Sequence, residues 1–299
     1  MNKLPFVDAH VHLWDLDHLR YPWLTPPFDD DGPNGSVESI AKTYRLADYR
    51  ADAGDWDVRG IVHVDAGATP DAALDETRWL QAMADREGLP NAIVAFADLY
   101  DPDVDTLLAA HAAHRNVRGI RHIVNWHADP RRTYTPRDVT RDGAWSRGYA
   151  RLAAQGLSFD LQAYPGQFAG LAELIERHPE TPVMVNHMGM CVPGEEAEWR
   201  DGLTALARLP HVAIKLSGVG FTHRRWTLEQ ARGLVLTAID RFGTDRAMVA
   251  SDFPTDKLFG SFAATLGAYA AITADFTDAE RRALFAGNAN RLYRMGLKL

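Results

Sequence analysis

The 299-residue chain predicts a single (β/α)8 barrel. Three observations carry that expectation. Eight short apolar, β-branched runs recur along the sequence, most are followed by a stretch in which alanine and leucine return every three or four positions, and nearly every run ends in polar or ionisable residues. Strand and helix alternating in this way is the pattern of a parallel barrel, for which roughly 250 residues is typical. In such a barrel the chemistry sits where the strands end and the βα loops begin.

The first run, "FVDAHVHL", ends in two histidines two positions apart. Alternation along a strand points His10 and His12 to one face and Ala9, Val11 and Leu13 to the other. Residues 15–50 contain "YPWLTPPFDDDGPNG", too rich in Pro, Gly and Asp for a helix, and read as a long loop. "VRGIVHVDA" is the second strand, ending in His63 and Asp65, with a helix over 71–87. "NAIVAFADL" is the third, with a helix over 104–114. "VRGIRHIVNW" is the fourth, carrying Arg121 and His122, with a helix over 145–155. "LSFDLQAY", with Asp160 and Gln162, leads into 168–178; "PVMVNHMG", with His187, into 199–209; and "VAIKLSG", with Lys215 and Ser217, into 228–242. "AMVASDFP" is the eighth strand, carrying Ser251 and Asp252 and stopped by Pro254, and a helix over 278–294 closes the outer ring. No repeat, low-complexity tract or linker divides the chain, so one domain is expected over 1–299.

Bulk properties narrow the ligand. With 46% hydrophobic and 24% charged residues the chain can bury a large core. A net charge of -8, with no concentrated basic face, argues against nucleic acid and anionic membranes and leaves small molecules. One cysteine, Cys191, excludes an intramolecular disulfide, and "MNKLPFVDAH" lacks the apolar stretch of a signal peptide. A cytoplasmic protein is expected. The oligomeric state is not legible in the sequence.

Paired imidazoles on one strand face form a two-pronged clamp for a divalent metal, zinc first. In a closed barrel the eighth strand lies beside the first, which brings Asp252 to His10 and His12 as a third ligand or as a base for water. His187 ends an apolar strand two positions before a glycine, where it can polarise a carbonyl or complete a metal site. Arg121, His122, Lys215 and Arg225, with Arg224 and Lys257, supply positive charge around the mouth and suit an anionic small acid. Tyr164, with Tyr21 and Trp23, can flank a ring-shaped substrate. Cys191 is expected to be structural. Dinucleotide, P-loop and serine-elbow signatures do not occur.

Taken in order, "DAHVHLW" with "YPWL", then "VRGIRH", "FDLQ", "VNHMGM", "IKLSGVG", "DRAMVASDFP" and "GNANRLYRM", the chain resembles the amidohydrolase superfamily over nearly its whole length. It is most similar to the amidohydrolase-related branch that includes L-fuconolactonase, L-rhamnono-lactonase, 2-pyrone-4,6-dicarboxylate lactonase and 4-sulfomuconolactone hydrolase. The resemblance implies that His10 and His12 are the first-strand pair, His187 the sixth-strand histidine and Asp252 the aspartate that activates water. The strand-five histidine and strand-four lysine or glutamate of many metal-dependent members are replaced here by "FDLQAY" and "RGIRHIV". The resemblance therefore implies no metal or one divalent ion held by His10, His12 and Asp252. The stretch "SDFPTDKLF" departs from the "SDWP" of the sugar lactonases and weighs against a sugar. The expected activity is hydrolysis of a lactone of a small, carboxylated or sugar-derived acid by carboxylate-activated water. Alternatives on the same barrel are non-oxidative decarboxylation or hydration, and a barrel that binds a small acid without turnover.

Overall fold

The strands β1 (Pro5–Val11), β2 (Asp57–Val64), β3 (Ala92–Phe96), β4 (Val117–Arg121), β5 (Ser158–Leu161), β6 (Val183–Val185), β7 (Val212–Leu216) and β8 (Ala247–Val249) are hydrogen-bonded in sequence order, each parallel to the next. This is a computed structural model, and it describes residues 4–299. The ring closes just beyond β8: the Asp252 amide donates to His10 O at 2.9 Å and the His12 amide to Phe253 O at 2.8 Å. The architecture is the expected (β/α)8 barrel.

The helices are α1 (Leu46–Ala53), α2 (Ala73–Glu87), α3 (Val104–Ala112), α4 (Gly143–Tyr149), α5 (Phe168–Glu176), α6 (Glu196–Ala207), α7 (Val219–Thr222), α8 (Leu228–Phe242), α9 (Phe262–Ile272), α10 (Asp278–Arg282) and α11 (Asn288–Leu292). Several differ from the sequence reading. The stretch 15–50 is not loop throughout, because α1 begins at Leu46, where its pattern becomes helical after the Pro- and Gly-rich part ends. The helix expected over 145–155 is α4 followed by a separate 3-10 turn, Leu152–Gln155. The closing segment is α10 and α11 joined by a π-helical turn, Ala283–Gly287. The helix α9 went unread, because its almost wholly apolar "FAATLGAYAAI" lacks a polar face to mark a period. No helix of the described residues is long and apolar enough to cross a membrane.

One strand detail matters for the site. The pairing of β1 with β2 shifts register between Asp8 and Val11. This irregularity resets the alternation, so Ala9 packs with Val7 in the inner cluster of the barrel while Val11 and Leu13 join the outer one. The expectation that Ala9 lies on the outward face with Val11 is corrected accordingly.

The core has two layers. Outward-facing Phe6, Ile61, Ile93, Ile120, Phe159 and Ile214 pack against the helices. Inside, small residues such as Ala9, Val62, Val64, Val94, Ala213 and Ala250 fill the tapering barrel. The C-terminal segment contributes Ala286, Ala289 and Tyr293 to this inner cluster, and the Tyr293 hydroxyl donates to Asp160 Oδ1 at 2.8 Å. Lys215 also pairs with Asp160, both fully buried. A charge pair inside a barrel is costly to desolvate, and here Tyr293 supplies the added hydrogen bond that such a pair requires.

Candidate active site

Three side chains converge at the seam where the barrel closes. His10 Nε2 and His12 Nε2 are 3.2 Å apart, and Asp252 Oδ1 stands 3.4 Å from the first and 3.3 Å from the second. The closing hydrogen bond from the Asp252 amide to His10 O fixes that approach. His12 Nδ1 bonds Val64 O at 2.8 Å; a carbonyl only accepts, so Nδ1 carries the proton and the Nε2 lone pair is turned to the centre. Burial pushes the His12 imidazole down to about 3, with the Arg121 charge adding to the effect. Burial and the Lys215 charge hold His10 well below the ordinary histidine value too. Both rings are therefore held in the neutral form.

Asp252 is fully buried, and no hydrogen bond from a backbone N–H, hydroxyl or amide reaches either of its carboxylate oxygens. Burial drives its pKa well above the ordinary carboxylate range, against the pull of the Arg121 charge. Asp256 is pushed up in turn by burial and by the Asp252 charge, so the two carboxyls hold a proton between them. A carboxylate raised in this way is a stronger base than one in water. Asp252 also has a left-handed backbone, φ 58°, a conformation that costs roughly 1–3 kcal/mol and persists where the surroundings fix it.

His187, Met188 and Met190 share that left-handed conformation, with Gly189 between them. His187 Nδ1 bonds Ser217 Oγ at 3.0 Å, and its ring lies 4.7 Å from that of His10 and 4.9 Å from that of Phe221. Gly218 makes room for it. A Cβ at Gly218 would come 2.5 Å from His187 Nδ1, and the residue itself has φ +67°. Beside His187, Asn186 is buried with neither its amide oxygen nor its nitrogen hydrogen-bonded.

A cavity of about 210 Å³ opens onto His12 and His187 and is walled by Trp23, Ile123, Tyr134 and Phe221, with Arg121, Gln162, Asn34 and Thr255 as its other polar contributors. Arg121 is buried and largely engaged: Nε donates to Asp65 Oδ2 at 2.6 Å, Nη2 to Asp65 O and Nη1 to Gln162 Oε1 at 3.0 Å. Its charge is thus matched by Asp65. An outer chamber of about 890 Å³ continues past Phe221, bordered by Tyr164, Arg132 and Arg224.

The structure brings together His10, His12, His187 and Asp252, and sets Arg121 in the cavity wall. Lys215 lies beneath His10, with Nζ 3.4 Å from His10 Nδ1. Tyr164 borders the outer chamber and donates to Arg132 O at 2.7 Å. His122 does not line the cavity; its Nδ1 accepts from Leu99 N and Trp145 Nε1 behind the barrel wall. Arg225 is solvent-exposed and lines neither chamber. Asn34, Tyr134, Phe221, Thr255 and Asp256 escaped sequence reasoning. Only Asp256 left a signal, a second acid four residues after Asp252 in one βα loop.

The chain matches the amidohydrolase family model over residues 7–295. It belongs to the amidohydrolase family. Among the relatives of this amidohydrolase, the uncharacterized protein y4mH of Sinorhizobium fredii is 42% identical over 300 residues, covering 99% of this chain and 100% of that one. The L-fucono-1,5-lactonase of Burkholderia multivorans is 28% identical, covering 96% of this chain and 95% of its own. A solved amidohydrolase of Burkholderia multivorans with bound zinc is 27% identical with a TM-score of 0.78, covering 97% of this chain and 99% of that chain. The protein is a hydrolase of this superfamily.

A divalent cation fits the donor set of this amidohydrolase. His10, His12 and Asp252 each offer one ligand atom, and the three atoms lie within 4.8 Å of one another. A tetrahedral zinc with bonds of about 2.0–2.1 Å has ligand-to-ligand edges of about 3.3 Å, close to the 3.2–3.4 Å separations observed. The Val64 carbonyl behind His12 supplies the second-shell contact that metal-binding histidines use.

Proposed function

We propose that this amidohydrolase opens a lactone ring by adding water to its carbonyl. The observation that carries the reading is Asp252: a buried carboxylate of raised basicity, its oxygens reached by no backbone N–H, hydroxyl or amide donor, set against two neutral imidazoles of which His12 lines the cavity of about 210 Å³. The relatives named as lactonases support it.

In this mechanism His10 and His12 orient a water against Asp252, which takes one of its protons as the oxygen attacks the carbonyl carbon. Charge then gathers on the carbonyl oxygen. Ser217 Oγ can donate to His187 Nδ1, which leaves the His187 Nε2–H to bind that oxygen, with the unused Arg121 N–H groups as further donors. As the ring C–O bond breaks, Asp252 returns its proton to the leaving oxygen, and the product is a hydroxy acid. A divalent ion on His10, His12 and Asp252, zinc first, would supply Lewis acidity to the same step.

The cavity also bears on the substrate. Among the described residues its one permanent cation is Arg121, offset by Asp65, and its walls are aromatic. That combination suits a flat, hydroxyl-poor lactone with acceptor oxygens and at most one negative charge, rather than a polyhydroxylated sugar or a dianion. The test is hydrolysis of 2-pyrone, dihydrocoumarin and L-fucono-1,5-lactone followed by acid release. The expected outcome is turnover of the flat rings above the sugar lactone, lost in Asp252→Asn. Release of no acid from any of them would overturn the reading.

A further inference from the structure

We propose that Asn34 reads a second acceptor oxygen on the substrate, on a loop that is clasped across the barrel mouth by Tyr134 and Arg224. The proposal rests on the lactone reading above. Asn34 belongs to the connection between β1 and α1, Tyr134 to that between β4 and α4, and Arg224 to that between α7 and α8. In a barrel of this strand order β1 and β4 are separated by two strands one way and four the other. A side chain on one loop therefore meets the other only across the mouth.

The contacts are specific. Tyr134 Oη donates to Asn34 Oδ1 at 2.6 Å, and Arg224 donates to Asn34 O at 2.8 Å and to Pro33 O at 3.1 Å. Among the described residues Arg224 forms no ion pair, so its guanidinium is committed to these two carbonyls. The chain turns at Gly35 directly against it: φ is +64°, and a Cβ there would come 2.4 Å from Arg224 Nη1. The loop is held in one pose by backbone as well as side chain.

That pose decides which end of the Asn34 amide serves the cavity. Oδ1 accepts the Tyr134 proton, while Nδ2 makes no hydrogen bond among the described residues, and both Asn34 and Tyr134 line the cavity. Gln162 is used in the same sense, its Oε1 taken by Arg121 and its nitrogen left over. Two amide donors on an aromatic-walled cavity call for a ligand with acceptors at two places. One is the scissile carbonyl, which His187 and Arg121 bind with the Gln162 amide beside them, and Asn34 takes the other: a carboxylate, carbonyl or ether oxygen elsewhere on the ring.

Two flat probes separate the roles: 2-pyrone, and 2-pyrone-5-carboxylate, which adds one acceptor group. Calorimetric binding to the Asp252→Asn protein is expected to favour the carboxylate at least fivefold. Adding Asn34→Ala should weaken the carboxylate about five- to tenfold and leave 2-pyrone within twofold. Asn34→Asp keeps the acceptor for Tyr134 but replaces the donor with an anion, and should weaken the carboxylate further. Tyr134→Phe, which opens the clasp, should weaken both. With Asp252 intact, Asn34→Ala should raise KM for the carboxylate by a similar factor with kcat within threefold. Equal effects of Asn34→Ala on the two probes, no effect, or no binding of the carboxylate would each overturn the proposal. Selective binding without hydrolysis by the wild-type protein would leave Asn34 as the reader and overturn the lactonase reading for this ring.

Discussion

Lys215 Nζ stands 3.4 Å from His10 Nδ1 while it pairs with Asp160. A buried ammonium donating to Nδ1 puts the proton of the neutral ring on Nε2, the nitrogen that faces Asp252 and His12. A cation at that nitrogen would have to displace the proton, so Lys215 and a bound metal ion would compete for the same imidazole. Replacing Lys215 alone would strand the Asp160 charge, at a cost of about 3–5 kcal/mol. The paired variant Lys215→Met with Asp160→Asn avoids this. Its zinc affinity, measured by competition with a chromophoric chelator, is expected to exceed that of the wild type by about tenfold, the equivalent of one lost opposing interaction of about 1.4 kcal/mol.

Asp252→Asn keeps the shape of the side chain and removes the base. Turnover should fall by roughly 10³-fold or more, while the far-ultraviolet spectrum holds, because no backbone N–H, hydroxyl or amide donor to the carboxylate is lost and the asparagine amide can still hydrogen-bond Asp256. Activity within tenfold of wild type would remove Asp252 from the reaction.

Gly218→Ala tests the space under His187. A methyl group would meet His187 Nδ1 at 2.5 Å on a residue with φ +67°. The expected cost is about 1–2 kcal/mol of stability, read from denaturant midpoints. A fall in kcat larger than any change in KM should accompany it as the imidazole is pushed from its Ser217 contact.

Glu76 gives the protein a pH-dependent stability. Burial, with the Asp65 charge adding to it, pushes its carboxyl up to about 8. The folded state therefore binds this proton more tightly than the unfolded state. The stabilisation is complete below the unfolded value near 4.5 and drains away as pH rises through 8, by an amount on the order of a few kcal/mol. Urea midpoints should fall between pH 5.5 and 8.5 in the wild type and fall distinctly less over that range in Glu76→Gln, the remaining slope belonging to the buried carboxyls of Asp252 and Asp256.

The barrel was legible because its strands are buried on both faces and so read as short continuous apolar runs between helical stretches. The pair His10 and His12, with Asp252, was legible for a related reason: the closing seam of a barrel is fixed by strand order alone. What stayed hidden depends on contacts between distant loops. Asn34 reaches the cavity only because Tyr134, a hundred residues later, holds it there. His122 and Arg121 are adjacent in sequence, yet one step along a strand sends the first behind the wall and the second into the cavity. Ala9 was misread because the irregularity in β1 arises from its pairing with β2 and leaves no mark in composition.

The seam that closes the barrel also has a consequence for the protein's birth. Asp252 follows the paired histidines by some 240 residues, so the histidines are synthesised long before their aspartate. Until β8 has been made and docked, a growing chain holds a ring with a gap at the place where water would be activated. Under the proposed mechanism catalytic competence arrives in a single late event, and chains truncated before β8 are expected to be inert instead of partly active.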